Sequence, residues 1–298
     1  MTSPSAPFGQ VLTAMVTPFA ADGSLDLDGA ARLADALVTL GNDGLVISGT
    51  TGEAPTTSDQ EKHDLLQAVV DAVGGRAQVL AGVGTYDTRH STELARSAEK
   101  AGATGLLVVT PYYSRPPQAG LVAHMTAIAD ATDLPVMVYD IPGRTGTALE
   151  TDTLLRLAEH PRILANKDAK GDLLAAQRVM AGCDLAFYSG DDALNLPLLA
   201  LGAVGFVSVT GHLVADRHRR MLEAFLAGDV AAARAVNQAT LPVTIGIMTR
   251  AQGAIMVKAA LALVGAPVGP VRLPLVEATE SEIAVLTQDL IDGGVALA

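Results

Sequence analysis

Residues 79–101, VLAGVGTYDTRHSTELARSAEKA, contain one complete strand-and-helix unit. Val79–Val83 form a nearly continuous apolar run, which is typical of a parallel strand covered on both faces. Asp87-Thr88 then provides a start signal for a helix over Arg89–Ala101. This stretch therefore predicts a βα unit with a polar loop at the carboxyl end of its strand.

The same alternation of apolar run and helical stretch recurs along the chain. Eight such units predict a (β/α)₈ TIM barrel, and further helices after the last run predict a C-terminal helical extension. The alternative is an open doubly wound sheet, which should carry a glycine-rich phosphate turn after its first strand. Thr17-Pro18-Phe19 follows that strand instead, and the chain contains neither GxGxxG nor GxxxxGK[ST]. The predicted strands are Leu12–Val16, Leu45–Ser48, Val79–Val83, Leu106–Val109, Val136–Tyr139, Ile163–Asn166, Ala186–Ser189 and Gly205–Val209.

The last part of the chain carries no further strand signal and no flexible linker. We predict a catalytic barrel over residues 1–228 and a helical region packed on it over residues 229–298. The helices predicted in this second region are Ala231–Gln238, Gly253–Leu263 and Ser281–Ile291.

Charge and composition limit the classes of partner. The 298 residues carry a formal net charge of −12, which argues against a nucleic-acid surface because phosphate binding requires clustered Lys and Arg. The single cysteine, Cys183, and the absence of a charged-then-apolar leader in Met1–Gln10 predict a cytoplasmic protein. Ala193–Ala215 lacks charged residues but includes Pro197 and several glycines, so it predicts a helix and a buried strand, not a membrane span.

Lysine is scarce, and one of the five lysines stands out by its position. Lys167 alone ends an apolar strand of the predicted barrel, where desolvation lowers the pKa of an ammonium group. A neutral amine can attack a carbonyl and form a Schiff base, although the position equally allows a structural ion pair with Asp168. Lys170 falls near a helix start and is expected to be exposed. Lys258 is expected on a solvated helix face or partly buried along its stem, with its charged end at the surface.

Tyrosines cluster at the same end of the predicted barrel. All five lie at or near the carboxyl ends of predicted strands, where a phenol can relay protons. For any single one of them packing is the better explanation, but five together with a lysine favour a site. They are Tyr86, Tyr112, Tyr113, Tyr139 and Tyr188.

Two loops offer groups for binding carboxylates. Gly49-Thr50-Thr51-Gly52 presents hydroxyls and backbone N–H groups, which suits a small carboxylate, although a plain βα turn has the same composition. Arg144 can hold a second carboxylate in bidentate fashion, or lie on the surface.

Metal chemistry has little support in the sequence. The six histidines form no HxxxH or HExxH pair, and Asp191-Asp192 suits a helix cap as well as Mg²⁺. We expect no metal site.

Seven motifs in order resemble the dihydrodipicolinate synthase family. The resemblance extends from about residue 10 to the C-terminus and implies a (β/α)₈ barrel with a C-terminal helical region, assembled as a tetramer of tight dimers. The motifs are TAMVTPF (13–19), GTTGE (49–53), TPYYSRP (110–116), YDIPGRTG (139–146), KDAKGD (167–172), SGDDAL (189–194) and GFVSVT (205–210).

The resemblance implies catalytic roles for four residues. Lys167 matches the lysine that forms a Schiff base with pyruvate, and Tyr139 matches the tyrosine that shuttles protons to and from that adduct. Thr50 and Tyr113 match the rest of the proton relay, with Tyr113 reaching the active site of the neighbouring subunit.

It implies substrate-binding roles for four more. Thr51 matches the site for the pyruvate carboxylate, and Arg144 matches the arginine that binds the carboxylate of aspartate semialdehyde. Gly190 and Val207 match positions that line the pocket.

The implied activity is a Schiff-base condensation of pyruvate with L-aspartate 4-semialdehyde in lysine and diaminopimelate biosynthesis, without metal or redox cofactor. The alternatives are another pyruvate-dependent aldolase of the same superfamily, acting on N-acetylneuraminate or keto-deoxy sugar acids, and a non-catalytic barrel. Arg144 and the double tyrosine at 112–113 favour the synthase.

Two departures from the family pattern stand out. Asn166 precedes the lysine where the family has an apolar residue, which predicts a more polar environment behind the amine. Ala54 lacks a hydroxyl and His90 lacks a carboxylate at positions that bind inhibitory lysine in regulated members, so we expect weak or absent inhibition by lysine. The full set of these positions is Ala54, Pro55, Asp59, Lys62, Tyr86 and His90.

Overall fold

The computed structural model describes residues 5–298 and contains a closed barrel of eight parallel strands, so the (β/α)₈ prediction is confirmed and the open sheet is wrong. Consecutive strands pair in chain order, and the last strand closes on the first. Residues 1–4 of the predicted catalytic region lie outside the described residues. The strands are β1 Val11–Ala14, β2 Gly44–Ile47, β3 Gln78–Gly82, β4 Gly105–Val109, β5 Val136–Asp140, β6 Ile163–Asp168, β7 Ala186–Ser189 and β8 Gly205–Ser208.

Helices follow the strands and begin at strong capping residues. Ser58 and Glu61 form a reciprocal capping box, and the Asp87 carboxylate accepts a hydrogen bond from the backbone N–H of Arg89. The α-helices are α1 Leu27–Thr39, α2 Asp59–Val73, α3 Thr88–Lys100, α4 Gln118–Ala129, α5 Pro142–Thr145, α6 Thr151–Leu157, α7 Leu173–Gly182, α8 Asn195–Leu201, α9 Gly211–Leu226, α10 Val230–Met248, α11 Gly253–Leu263 and α12 Glu280–Asp292.

Two elements extend well beyond their predicted ends. β6 continues through Lys167 and Asp168, because Lys167 pairs in register with Tyr139 of β5 and Asp168 pairs with Asp140. Pairing with β5 keeps these two residues in the strand, although their charged side chains resemble a strand end in the sequence. α10 extends to Met248 and includes Pro242, packed against α9 and α12.

Two apolar layers form the core. An inner cluster fills the barrel, and an outer cluster lies between the strands and the helices. Full burial of a Val, Leu or Ile side chain contributes about 1.5–3 kcal/mol, so these aliphatic layers stabilise a chain that has no tryptophan. Phe8 lies just before β1, and the hydroxyl of Tyr188 donates to the carbonyl of Gly9, so both rings fill the amino-terminal end of the barrel.

The apolar stretch Ala193–Ala215 contains α8, β8 and the start of α9. Within residues 5–298, no helix is long and apolar enough to cross a membrane.

Candidate active site

Lys167 points into the carboxyl-terminal half of the barrel. Its neighbour two residues earlier, Ala165, belongs to the inner cluster, and side chains alternate along a strand. Lys167 is 4% exposed, and its Nζ lies 4.2 Å from the centroid of the Tyr139 ring. The lysine and the tyrosine occupy paired positions on β6 and β5, so the barrel itself holds the two groups together.

The environment of Lys167 favours the neutral amine. Burial lowers the pKa of its ammonium group to about 7, Asp192 opposes this shift, and Arg144 adds to it. A substantial fraction of the amine is therefore unprotonated at neutral pH, which is the form that attacks a carbonyl carbon.

Tyr139 packs directly on this amine with its phenol ring. Burial raises the pKa of its phenol to about 12, and Arg144 and the Thr50 side chain oppose that rise. The phenol is therefore protonated at neutral pH and can donate as well as accept a hydrogen bond.

A cavity of about 200 Å³ opens beside Tyr139. Lys167 is not one of its lining residues and reaches it only through the contact of its amine with the Tyr139 ring. Tyr139 is part of its wall, together with Thr50 and Arg144. Arg144 is an exposed residue at the rim, where its guanidinium can receive a carboxylate. The other lining residues are Ser48, Gly49, Ala54, Pro55, Gly82, Gly84, Leu107, Val109, Tyr112, Ile141 and Thr145.

Three further residues predicted from the sequence do not line the cavity and are buried or packed near the residues that do or near Lys167. Thr51 is buried next to Thr50. A Cβ at Gly190 would lie 2.9 Å from Cγ and 3.0 Å from Cε of Lys167, so only glycine leaves room for the extended lysine chain. Val207 is fully buried in the inner cluster that also contains Tyr139.

Tyr113 is the predicted site residue that the single chain leaves exposed to solvent. It is 94% exposed, and its φ of 71° turns the chain sharply after β4. Its neighbour Tyr112 is half-buried, lines the cavity, and packs edge-on against Tyr86 with 5.4 Å between ring centroids. Tyr86 is itself 64% exposed, so the exposed rings of Tyr86 and Tyr113 both lie beside the half-buried Tyr112, in the pattern of a surface that contacts another surface.

Lys170 is largely buried, contrary to the sequence expectation. Its Nζ lies 3.3 Å from Oδ2 of Asp140 and donates to the carbonyl of Leu149 at 2.9 Å. The reason is that β6 extends to Asp168 and α7 begins only at Leu173, so Lys170 lies in the intervening loop, against the end of β5. Burial raises the pKa of Asp140 to about 6, and Lys170 opposes this rise.

Asp192 is a functional candidate that sequence reasoning left undecided between a cap and a metal ligand. It is 4% exposed and accepts hydrogen bonds from Ser208 Oγ at 2.5 Å and from the backbone N–H groups of Val209 and Thr210. Burial would raise the pKa of Asp192, but His218 and these donors hold it below its usual value. The buried anion therefore stabilises the protonated form of Lys167, which opposes the effect of burial.

Several histidines are buried and make structural hydrogen bonds. His212 Nε2 accepts from the backbone N–H of Val16 at 3.1 Å, and His218 Nε2 lies 2.8 Å from the Thr210 hydroxyl. Within residues 5–298, no group of three or more His, Cys, Asp or Glu side chains is arranged to hold a metal ion.

Asn166 lies on the opposite face of β6 from the amine. Strand alternation points it outward, in register with Val138 and Phe187 of the outer cluster, and it is fully buried. Its polarity therefore affects the packing of the helical layer and not the space directly behind Lys167.

Comparison with known proteins identifies the family. Residues 7–291 match the model of the dihydrodipicolinate synthetase family. The chain belongs to this family. It is 64% identical over 296 residues to 4-hydroxy-tetrahydrodipicolinate synthase 2 of Streptomyces coelicolor, and the match covers 99% of each chain.

Solved structures of dihydrodipicolinate synthases share the whole fold. The enzyme of Cyanidioschyzon merolae, with lysine bound, superposes with a TM-score of 0.96 at 41% identity, covering 98% of this chain and 100% of that one. The enzyme of Acinetobacter baumannii, complexed with pyruvate, superposes with a TM-score of 0.93 at 34% identity, covering 97% and 100%. The dihydrodipicolinate synthase fold therefore extends over nearly the full length of the chain.

Proposed function

We propose that this protein is a lyase that condenses pyruvate with L-aspartate 4-semialdehyde to give 4-hydroxy-tetrahydrodipicolinate, in lysine and diaminopimelate biosynthesis. The observation that carries the proposal is the buried Lys167, whose pKa is lowered to about 7 and whose amine packs on Tyr139. Membership of the dihydrodipicolinate synthetase family supports the choice of substrates. We also propose that the protein acts in the cytoplasm, as its single cysteine predicts.

The reaction follows from the chemistry of Lys167, of Tyr139 and of the polar residues near them. Neutral Lys167 adds to the ketone of pyruvate and expels water, which gives an imine; the imine withdraws electrons, so a methyl proton leaves and an enamine forms. The enamine carbon attacks the aldehyde of the second substrate. The amine of that substrate then displaces Lys167 as the ring closes. Tyr139 and Thr50 carry the protons, while Thr51 and Arg144 hold the two carboxylates.

A substrate panel tests this reaction. Pyruvate consumption should depend on aspartate semialdehyde and should be negligible with sugar aldehydes, because the rim of the cavity offers the cation of Arg144 for a carboxylate. Faster consumption with N-acetylmannosamine or a sugar aldehyde would assign the protein to another aldolase activity.

We propose that the protein is a homotetramer of tight dimers and that Tyr113 acts in the neighbouring subunit. Its 94% exposure in one chain supports a contact across a dimer interface. Tyr113→Phe should lower kcat roughly tenfold or more through loss of the relay hydroxyl. A mixture of Tyr113→Phe and Lys167→Ala chains, refolded together, should recover activity because the hybrid dimer has one complete site. Mixtures no more active than the Tyr113→Phe chain alone would contradict a role for Tyr113 in the neighbouring subunit.

Inhibition by lysine should be weak or absent. Of the positions that bind lysine in regulated relatives, Asp59 is already paired with His90 at 2.9 Å, and Lys62 adds a positive charge. A lysine ammonium therefore meets no free carboxylate among these positions. Steady-state rates should be unaffected by submillimolar L-lysine, and Ala54→Ser/His90→Glu should introduce sensitivity. Strong inhibition of the unmodified protein would contradict this expectation.

A further inference from the structure

The C-terminal helical region contacts the turn Gly49–Glu53 through a buried ion pair. Nζ of Lys258, on α11, lies 2.7 Å from Oε1 of Glu53, and the two side chains are 5% and 1% exposed. The same ammonium group donates to the carbonyl of Pro270 at 2.6 Å. The prediction that Lys258 lies on a solvated face or snorkels partly to the surface is wrong, because its ammonium group is buried against a carboxylate of the second βα loop, far away along the chain.

Arg272 strengthens the contact from the segment that follows α11. Its backbone N–H donates to Oε2 of Glu53 at 2.8 Å, so both oxygens of this carboxylate face the C-terminal region. Its guanidinium donates to the carboxylate of Glu61 and, at 2.9 Å, to the carbonyl of Thr56. Arg272 therefore connects the turn to the chain that leads into α2.

Phe19, in the first βα loop, completes this cluster. Nζ of Lys258 and Cζ of Arg272 lie 4.4 Å and 4.1 Å from the centroid of its ring. Its backbone N–H donates to the carbonyl of Val268 at 3.0 Å. Two cations and two backbone groups of the C-terminal region thus converge on the face of the barrel that carries the cavity.

The turn itself is held in a strained shape. Glu53 has a φ of 55°, which is uncommon for a residue with a side chain. Its backbone N–H donates to the carbonyl of Thr50 at 3.2 Å, and Thr17 Oγ1 donates to the carbonyl of Gly52 at 2.6 Å. The conformation of Thr50 and Thr51 therefore depends on Glu53 remaining in place.

We propose that Glu53, Lys258 and Arg272 are positioning residues through which the C-terminal region holds the Thr50-Thr51 turn against the cavity. The inference rests on the proposed binding of pyruvate at this turn. Removal of Lys258 leaves a buried carboxylate without its cation, and the cost of that charge drives Glu53 toward water and displaces the two threonines. The C-terminal region is thus part of the pyruvate site as well as of the fold.

The test compares Lys258→Met with the double variant Glu53→Gln/Lys258→Met. In the single variant, the pyruvate concentration for half-maximal borohydride trapping should rise roughly tenfold, measured below its unfolding temperature. The double variant has no uncompensated charge, and the amide oxygen introduced at position 53 still accepts a hydrogen bond from the backbone N–H of Arg272. Most of the increase in the half-saturation concentration of pyruvate should therefore disappear. Arg250→Met removes an ion pair with Asp289, within the C-terminal region, and should leave pyruvate binding unchanged.

An unchanged half-saturation concentration in folded Lys258→Met overturns the proposal, even if that variant melts earlier. If Lys258→Met does not fold, Glu53→Gln replaces it in the test, and a smaller rise in the half-saturation concentration of pyruvate is expected. Wild-type pyruvate affinity in Glu53→Gln would also overturn the proposal. Failure of the proposed Schiff-base chemistry has a different signature, because the unmodified protein would then show no trapping with pyruvate at all, whereas a different aldehyde substrate would leave this comparison unchanged.

Discussion

Lys167→Ala should lower kcat by about 10⁴-fold or more, because the substitution removes the nucleophile. Loss of the nucleophile has effects of this size in other enzymes that form covalent intermediates. Borohydride reduction in the presence of pyruvate should then label no residue. In the unmodified protein the trapping rate should rise as the pH rises through about 7, since the neutral amine is the reactive form and burial sets its pKa there.

Two controls separate chemistry from folding. Lys100 lies exposed on α3, so Lys100→Ala should be as active as the unmodified protein and should trap pyruvate normally. Lys167→Arg keeps a cation in the barrel but cannot form an imine, and it should be as inactive as the alanine variant. Retention of a tenth or more of the activity in either Lys167 variant would contradict the assignment.

Tyr139→Phe should lower kcat by roughly 10²- to 10⁴-fold, the range expected for loss of a general acid–base group. The phenyl ring keeps the packing against Lys167, so the fold should persist and pyruvate should still be trapped, more slowly. The phenol acts first as a proton donor, because burial raises its pKa to about 12 and keeps it protonated at neutral pH.

Tyr188→Phe is the matched control for this substitution. Tyr188 is also fully buried in the inner cluster, but its hydroxyl donates to Gly9 at the opposite end of the barrel. Its loss should reduce the free energy of unfolding by about 1 kcal/mol and leave kcat unchanged. Equal losses of kcat in the two variants would mean that Tyr139 contributes packing and no proton transfer.

Sequence patterns predicted the barrel because each strand and helix is marked locally, by apolar runs and capping residues. They also singled out Lys167, since an apolar strand that ends in lysine is unusual and the barrel fold puts strand ends in one place. β6 was predicted two residues short because charged residues at its end resemble a strand stop, whereas pairing with β5 extends it.

The partners of buried charges could not be predicted from the sequence. Lys258 pairs with Glu53, Lys170 with Asp140, and Asp192 with donors on β8 and the loop after it, all across the fold. Local hydropathy places a lysine in a helix or loop on the surface unless its distant carboxylate is known. Tyr113 presents a related difficulty, because its expected site belongs to a second copy of the chain.

The central claim is that Lys167 forms the Schiff base with pyruvate, and peptide mapping tests it most directly. The protein should be incubated with pyruvate, reduced with borohydride, digested and analysed by mass spectrometry. A single reduced pyruvate adduct on Lys167, with Lys170 unmodified, is the predicted result. An adduct on Lys170, or saturating turnover without any adduct, would contradict the account.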